Sequence, residues 1–285
     1  MLCNERRPDV GNSRRTVVAL RVVVIVYLVL LVGWPVALVV RNTFASGFDA
    51  LGGALGDPMV MFSLKLTLAV ALQAVVLNTV FGVGMSLLLV RYSFPGRRVL
   101  SALVDVPLSV SPVVVGLALI LVYGPTDSWF GQWLGDRGID IIFSTPGMVM
   151  ATAFISLPLV IREVVPVLTE RGTDEELAAA SLGAGPVQTF TRITLPAIKW
   201  AVVYGVVLTL ARSLGEFGAV KIVSGNIEGA TQTATLLVED RYQDFDQPTA
   251  YATAFLLAAV SVSCIVVVTF LRRDHATSLQ KGPRR

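Results

Sequence analysis

Six long apolar blocks run along this chain, separated by polar segments of uneven length. They fall at roughly 19–40, 66–90, 99–123, 145–165, 201–223 and 250–271. Each is compatible with the ~20 residues that a helix needs to cross a ~30 Å hydrocarbon layer. The fourth is the weakest, because its uninterrupted apolar part ends at Ile161, before Arg162 and Glu163. The pattern predicts an all-α integral membrane fold with six transmembrane helices. It divides the chain into a polar N-terminal tail (1–18), a transmembrane domain (19–271) and a C-terminal tail (272–285).

Composition agrees. Hydrophobic residues make up 54% of the chain and charged residues 15%, against about 25% charged in a soluble domain. Mean hydropathy is +0.71. A surplus of this size needs lipid around it rather than a larger core. The first block follows Arg14, Arg15 and Arg21, as a signal peptide would, but its 22 residues and missing small-residue cleavage site predict a retained span. Cys3 and Cys264 lie in different environments and support no disulfide framework, and His275 is the one histidine. A metal site needs three or four suitably spaced ligands, which His and Cys cannot supply here.

The formal net charge of +3 matters less than where the charges sit. With the N-terminus inside, Arg6, Arg7, Arg14, Arg15 and Arg21, then Arg91, Arg97 and Arg98, lie on the inner side. So do Arg162, Arg171, Arg192 and Lys199, and finally Arg272, Arg273, Lys281, Arg284 and Arg285. Only Arg41, Lys65, Arg137 and Arg241 lie outside, while Arg212 and Lys221 fall within the fifth block. Excess Lys and Arg marks cytoplasmic loops, so both termini are expected in the cytoplasm.

The longest hydrophilic insertion, 162–199, lies on that cytoplasmic side between the fourth and fifth blocks. It reads as two short helices. Thr173, Asp174, Glu175 and Glu176 have the form of a capping box, in which the Thr173 hydroxyl and Glu176 carboxylate satisfy free N–H groups reciprocally. An alanine-rich helix follows, with Gly183 as a left-handed stop. Pro186 suits the first position of a second helix, and Pro196 ends or kinks that helix. A smooth alanine face suits close approach by another protein. The competing reading, a helix lying on the bilayer, is opposed by the acidic first turn, which anionic lipid would repel.

The stretch ELAAASLG at 176–183, followed after nine residues by ITLP at 193–196, resembles the "EAA loop" of bacterial ABC importer permeases. Ala178, Ala179, Gly183, Ile193, Leu195 and Pro196 match in register. Leu177 stands where that family usually has Glu, with Glu176 one position earlier. The resemblance implies a coupling helix that docks into a groove of an ATP-binding subunit. No G-x-x-x-x-G-K-[ST] phosphate loop occurs here, so no cofactor is expected on this chain and ATP belongs to a partner.

Further stretches extend the likeness: DVPLSVSPVVVG at 105–116, REVVPVL at 162–168, RSLGEFGAV at 212–220 and TLLVE at 235–239. They are similar to permeases of sulfate/thiosulfate importers, of the CysW type, within the type I ABC importer permease fold. Molybdate, tungstate and phosphate permeases share the architecture. The resemblance implies a second related permease, a dimer of ATP-binding subunits, an extracytoplasmic sulfate-binding protein and membrane lipid as partners, with no nucleic acid. The chain is then no enzyme by itself but the non-ATPase subunit of a sulfate-transporting ATPase. The alternatives are the same machine for molybdate, or an ion-coupled secondary transporter, which has no reason to display a capped alanine helix. A membrane enzyme would need acid–base groups that one tail histidine does not provide.

A dianion crossing hydrocarbon needs hydroxyls, N–H groups or a compensated cation near the midplane. Arg212, midway along the fifth block, lies four residues before Glu216; the two are expected to pair along one helix face, either as an internal brace or as part of an anion route. In the third block Pro107 and Pro112 loosen the helix, while Ser109 and Ser111 add hydroxyls that line a pathway or bond back to their own backbone. Asp105 could receive an arginine or cap a local break. Gln73 and Asn78 are expected to join helices, Gly82 and Gly84 to permit close approach, and Trp34, Trp129, Trp133 and Trp200 to anchor at the interface.

Overall fold

The computed structural model describes residues 14–45, 47–125 and 128–279. Cys3, Arg6, Arg7, Lys281, Arg284 and Arg285 lie outside the described residues, as do the side chains of Arg14, Arg15, Cys264, Arg272, Arg273 and His275.

The described chain is helical. α1 (Arg14–Leu28) passes through a π-helical segment (Val29–Gly33) into α2 (Trp34–Thr43), and the short α3 (Asp49–Gly56) leads to α4 (Pro58–Arg91). α5 (Arg97–Ser109), α6 (Pro112–Tyr123), the short α7 (Trp129–Gly135) and the long α8 (Thr145–Arg171) follow. α9 (Asp174–Ser181) precedes α10 (Pro186–Thr189), which continues through a second π-helical segment (Phe190–Thr194) into α11 (Leu195–Leu214). α12 (Gly218–Ser224), α13 (Ala234–Gln243) and α14 (Gln247–Leu279) complete the order. Among the described residues, four helices are long and apolar enough to cross a membrane, or five if the α5–α6 pair forms one span. The apolar block 250–271 lies in α14, whose side chains from residue 267 onward are not described.

α4, α8 and α11 pack together as the centre. Val160 of α8 shows why they come so close. A Cβ added at Gly82 of α4 would lie 2.9 Å from the Val160 Cβ, and one at Gly205 of α11 would lie 2.9 Å from its Cα. Without water to compete, small residues and hydrogen bonds hold such helices together. Asn78 supplies the second element: its buried Nδ2 donates to Ala153 O and to Ser156 Oγ, both at 2.9 Å. Gly84 faces open space and Gln73 is exposed, so neither joins helices as expected. The helix through α1 and α2 is exposed along its length. Thr43, buried at its C-terminal end, ties it to α14, donating to Tyr251 O at 3.1 Å.

Four boundaries differ from the hydropathy reading. The third block is not one helix: α5 and α6 meet at 112°. Pro112 disfavours helical geometry in the residue before it, and Ser111 is accordingly extended (φ −61, ψ 135). The fifth block breaks at Gly215–Phe217, between α11 and α12. α4 starts eight residues early, at Pro58, because Asp57 Oδ1 accepts the Met59 N–H at 2.8 Å and Pro58 suits a first turn. α8 runs on through Arg162 and Glu163 to Arg171, so the hydrophilic insertion begins near Gly172 rather than Arg162. Hydropathy marks where lipid ends, and a helix can continue into water. Pro196 does not end its helix. The π-helical turn before it absorbs the backbone bond that proline cannot donate.

Candidate functional site

Two constellations stand out, one at the end of the bundle where α4 and α8 finish and one at the breaks within it. At that end, α9 is held by a clamp. Arg91, the last residue of α4, places Nε 2.9 Å from Glu176 Oε2 and donates from Nη2 to Oε1 at 3.1 Å. Its Nη1 reaches Leu168 O at 3.1 Å, near the end of α8. Thr194, buried at the head of α11, donates its hydroxyl to Glu176 Oε1 at 2.8 Å. One carboxylate thus ties α9 to α4 and to the head of α11, and Arg91 extends the clamp to α8. The two charged side chains are only 13% and 22% exposed, which limits solvent screening of the pair.

This use of Glu176 corrects the capping-box expectation. The Thr173 side chain makes no cap hydrogen bond, and the Glu176 carboxylate is turned towards α4 and α11. The other end follows the sequence. Gly183 adopts φ +85, donating its N–H to Ala180 O, while the Ala184 N–H reaches Ala179 O, both at 3.0 Å. Ala178, Gly183, Leu195 and Pro196 are exposed, while Ala179 and Ile193 are half-buried. The largest exposed apolar groups here are Leu177, Leu182 and Val187, with Leu182 89% exposed. Sequence reasoning emphasised the alanines and missed these three, as it missed Arg91 and Thr194. The signal for Arg91 was a lone arginine directly ending an apolar block.

At the breaks, Arg212 Nη1 lies 2.8 Å from Glu216 Oε2. The pair forms although the helix stops between them. Glu216 is 3% exposed and Arg212 40%. Glu216 Oε1 also accepts the Ala219 N–H at 3.1 Å, satisfying a donor freed at the start of α12. The Glu216 carbonyl accepts from Thr235 Oγ1 at 2.9 Å, and the Ala234 N–H donates to Thr67 Oγ1 at 2.8 Å, so α13 is pinned across the break and onto α4.

The break in the third block lies beside this one, because a Cβ at Gly218 would sit 3.0 Å from the Pro112 Cβ. Ser109 and Ser111 are exposed at that bend, and neither is a hydrogen-bond partner of Arg212. Asp105 finds Arg162, with Oδ1 3.0 Å from Nε. In the core, the Thr152 and Thr209 hydroxyls are buried with no hydrogen-bond partner among the described residues.

Helices able to cross a membrane, a short helix clamped to their ends and hydrogen-bonded breaks between them define a membrane permease. The chain belongs to the family of binding-protein-dependent transport system inner membrane components, matching it over residues 78–275. It is 45% identical over 247 residues to the sulfate transport system permease protein CysW of Synechococcus elongatus, covering 87% of this chain and 86% of that one. Identity to the CysW protein of Escherichia coli K12 is 42% over 238 residues, covering 84% and 81%. The E. coli sulfate permease CysT is 40% identical over 216 residues, covering 76% and 78%. Among solved structures, a bacterial alginate ABC transporter in complex with its alginate pentasaccharide-bound periplasmic protein superposes with a TM-score of 0.77. It is 16% identical and covers 93% of this chain and 96% of that one, so it shares the fold.

Proposed function

We propose that this chain is the membrane-spanning permease subunit of an ATP-driven importer that carries sulfate or thiosulfate across the cytoplasmic membrane. The observation that carries the reading is the 45% identity, over 87% of the chain, to a protein named as a sulfate permease. That likeness favours sulfate over molybdate. The α5–α6 pair and α14 each make one span, giving six, and both termini face the cytoplasm, a reading supported by the inner excess of Lys and Arg.

In this reading α9 is the coupling helix. Its exposed Leu177 and Leu182, with Val187 beyond, enter a groove of an ATP-binding subunit, two copies of which sit below the membrane. The Arg91–Glu176–Thr194 clamp passes the motor's movement to α4, α8 and α11. A second related permease completes the pathway, consistent with the pair of related names CysW and CysT among the relatives, and an external binding protein delivers the anion. ATP is bound by the partner, and this chain holds no cofactor. ATP binding shifts a two-state equilibrium through differential contacts at α9, and the pathway opens outward; hydrolysis resets it.

Uptake of radiolabelled sulfate in cells lacking this chain, with thiosulfate and molybdate as competitors, tests the reading. Uptake should be lost and then restored by the wild-type chain, with thiosulfate competing. Unchanged sulfate uptake in the absence of any compensating system would overturn the assignment.

A further inference from the structure

Between α4, α5 and α8, near the inner end of the bundle, lies a cavity of about 290 Å³ that neither the clamp nor the helix breaks use. Its lining combines the polar Arg97, Ser101, Arg162 and Thr169 with the apolar Leu89, Val104 and Val165. Two guanidinium groups therefore face one carboxylate, that of Asp105. Asp105 accepts from Nε of Arg162, and neither Nη group makes a hydrogen bond among the described residues. Arg97 likewise has no ion pair there, and Arg98 borders the adjoining hollow.

The placement of Arg97 and Arg98 is unusual. Both occupy the first turn of α5, where the positive end of the helix dipole disfavours a cation. Sidedness of charge explains why arginines lie at this end of the bundle. It does not explain why two from different helices converge on one cavity. An anion held there would relieve both the mutual repulsion and the dipole. Leu89, Val104 and Val165 give the rest of the lining an apolar character that suits hydrocarbon rather than water.

We propose that this cavity binds the phosphate of an anionic lipid headgroup, with an acyl chain against its apolar lining residues. Phosphate oxygens match guanidinium donors, and basic pockets between membrane helices recognise such headgroups. Which leaflet supplies the lipid rests on the orientation proposed above. The binding itself does not, and the test reads binding rather than transport.

The full chain, purified from membranes with its complex, is equilibrated with equal amounts of phosphatidylglycerol and phosphatidylcholine, and retained lipid is read by native mass spectrometry. The wild type should hold phosphatidylglycerol in preference by roughly tenfold. Arg97→Gln should cut that preference several-fold at an unchanged melting temperature, and Arg97→Lys should largely keep it. Equal retention of the two lipids, or a preference that survives both Arg97→Gln and the Arg97→Gln/Arg162→Gln pair, would overturn the proposal. In a second arm, inorganic phosphate is added alone; displacement of the lipid at low millimolar phosphate would assign the cavity to a soluble anion instead. Shielding of a Ser101→Cys thiol from maleimide in lipid-free complex would show a protein partner there, and would equally overturn it.

Discussion

Glu176 and Arg91 lie 85 residues apart in the chain and meet at 2.9 Å, one on the short α9 and the other at the last turn of α4. Through this pair a short helix is fixed to the bundle rather than hung from a flexible loop. If α9 is the coupling helix proposed above, a push on it would be felt at the ends of α4, α8 and α11 together.

Replacing Glu176 with Gln should therefore weaken coupling more than folding. It removes a charged contact on a half-buried arginine, worth about 1–3 kcal/mol. The ATPase rate of the complex should respond less to the loaded binding protein, while the permease still reaches the membrane. Combining Glu176→Gln with Arg91→Gln should cost less than the two single changes summed, with an interaction term of about 0.5–3 kcal/mol. Additive effects in that double-mutant cycle would mean the clamp carries no energy.

Gly183 can be tested through its backbone alone. Its φ is +85 and a Cβ there would meet nothing within 4 Å, so Gly183→Ala probes strain without a clash. It should destabilise the stop of α9 by about 1–2 kcal/mol, and Gly183→Asn by less. A bulky replacement such as Gly183→Val should further reduce co-purification of the ATP-binding subunit. Unchanged co-purification and transport would count against docking at this helix.

We propose that Arg212 acts as a brace, since Glu216 is buried and also caps α12. Arg212→Met leaves that carboxylate buried without its cation, and stability should fall by about 3 kcal/mol. The KM of the remaining sulfate uptake should stay near wild type. A raised KM with unaltered melting would instead make Arg212 an anion ligand.

Close packing at Val160 predicts a contrast between two glycines on α4. Gly82→Ala would put a Cβ 2.9 Å from the Val160 Cβ and should destabilise by about 1–3 kcal/mol. Gly84→Ala meets nothing within 4 Å and should be neutral or slightly stabilising, because alanine favours helix. Thermal melting of the purified chain separates them; equal effects would mean the helices are not held at this distance.

The membrane class and the approximate positions of the apolar helices were legible in the sequence, since hydropathy reports local solvent preference. So was the punctuation of the inner segment. The left-handed turn at Gly183 and the start of a helix at Pro186 are dictated by backbone sterics within a few residues. The family, too, was carried by short motifs at fixed spacing. Continuity was not legible. The prolines of the third block pointed to a loosened helix, but neither its 112° bend nor the break in the fifth block could be read from the pattern. The breaks persist because Gly218 seats against Pro112 and Glu216 caps the buried start of α12. Nor was the partner of a charge. Thr173 and Glu176 fit a local capping box, and only the arrival of Arg91 and Thr194 from distant helices offers the carboxylate stronger donors. Asp105 found Arg162 in the same way. Local sequence sets which residues prefer lipid and where a helix can start or stop. The packing of α4, α8 and α11 decides which charges meet, because those encounters join groups that no short window of sequence contains.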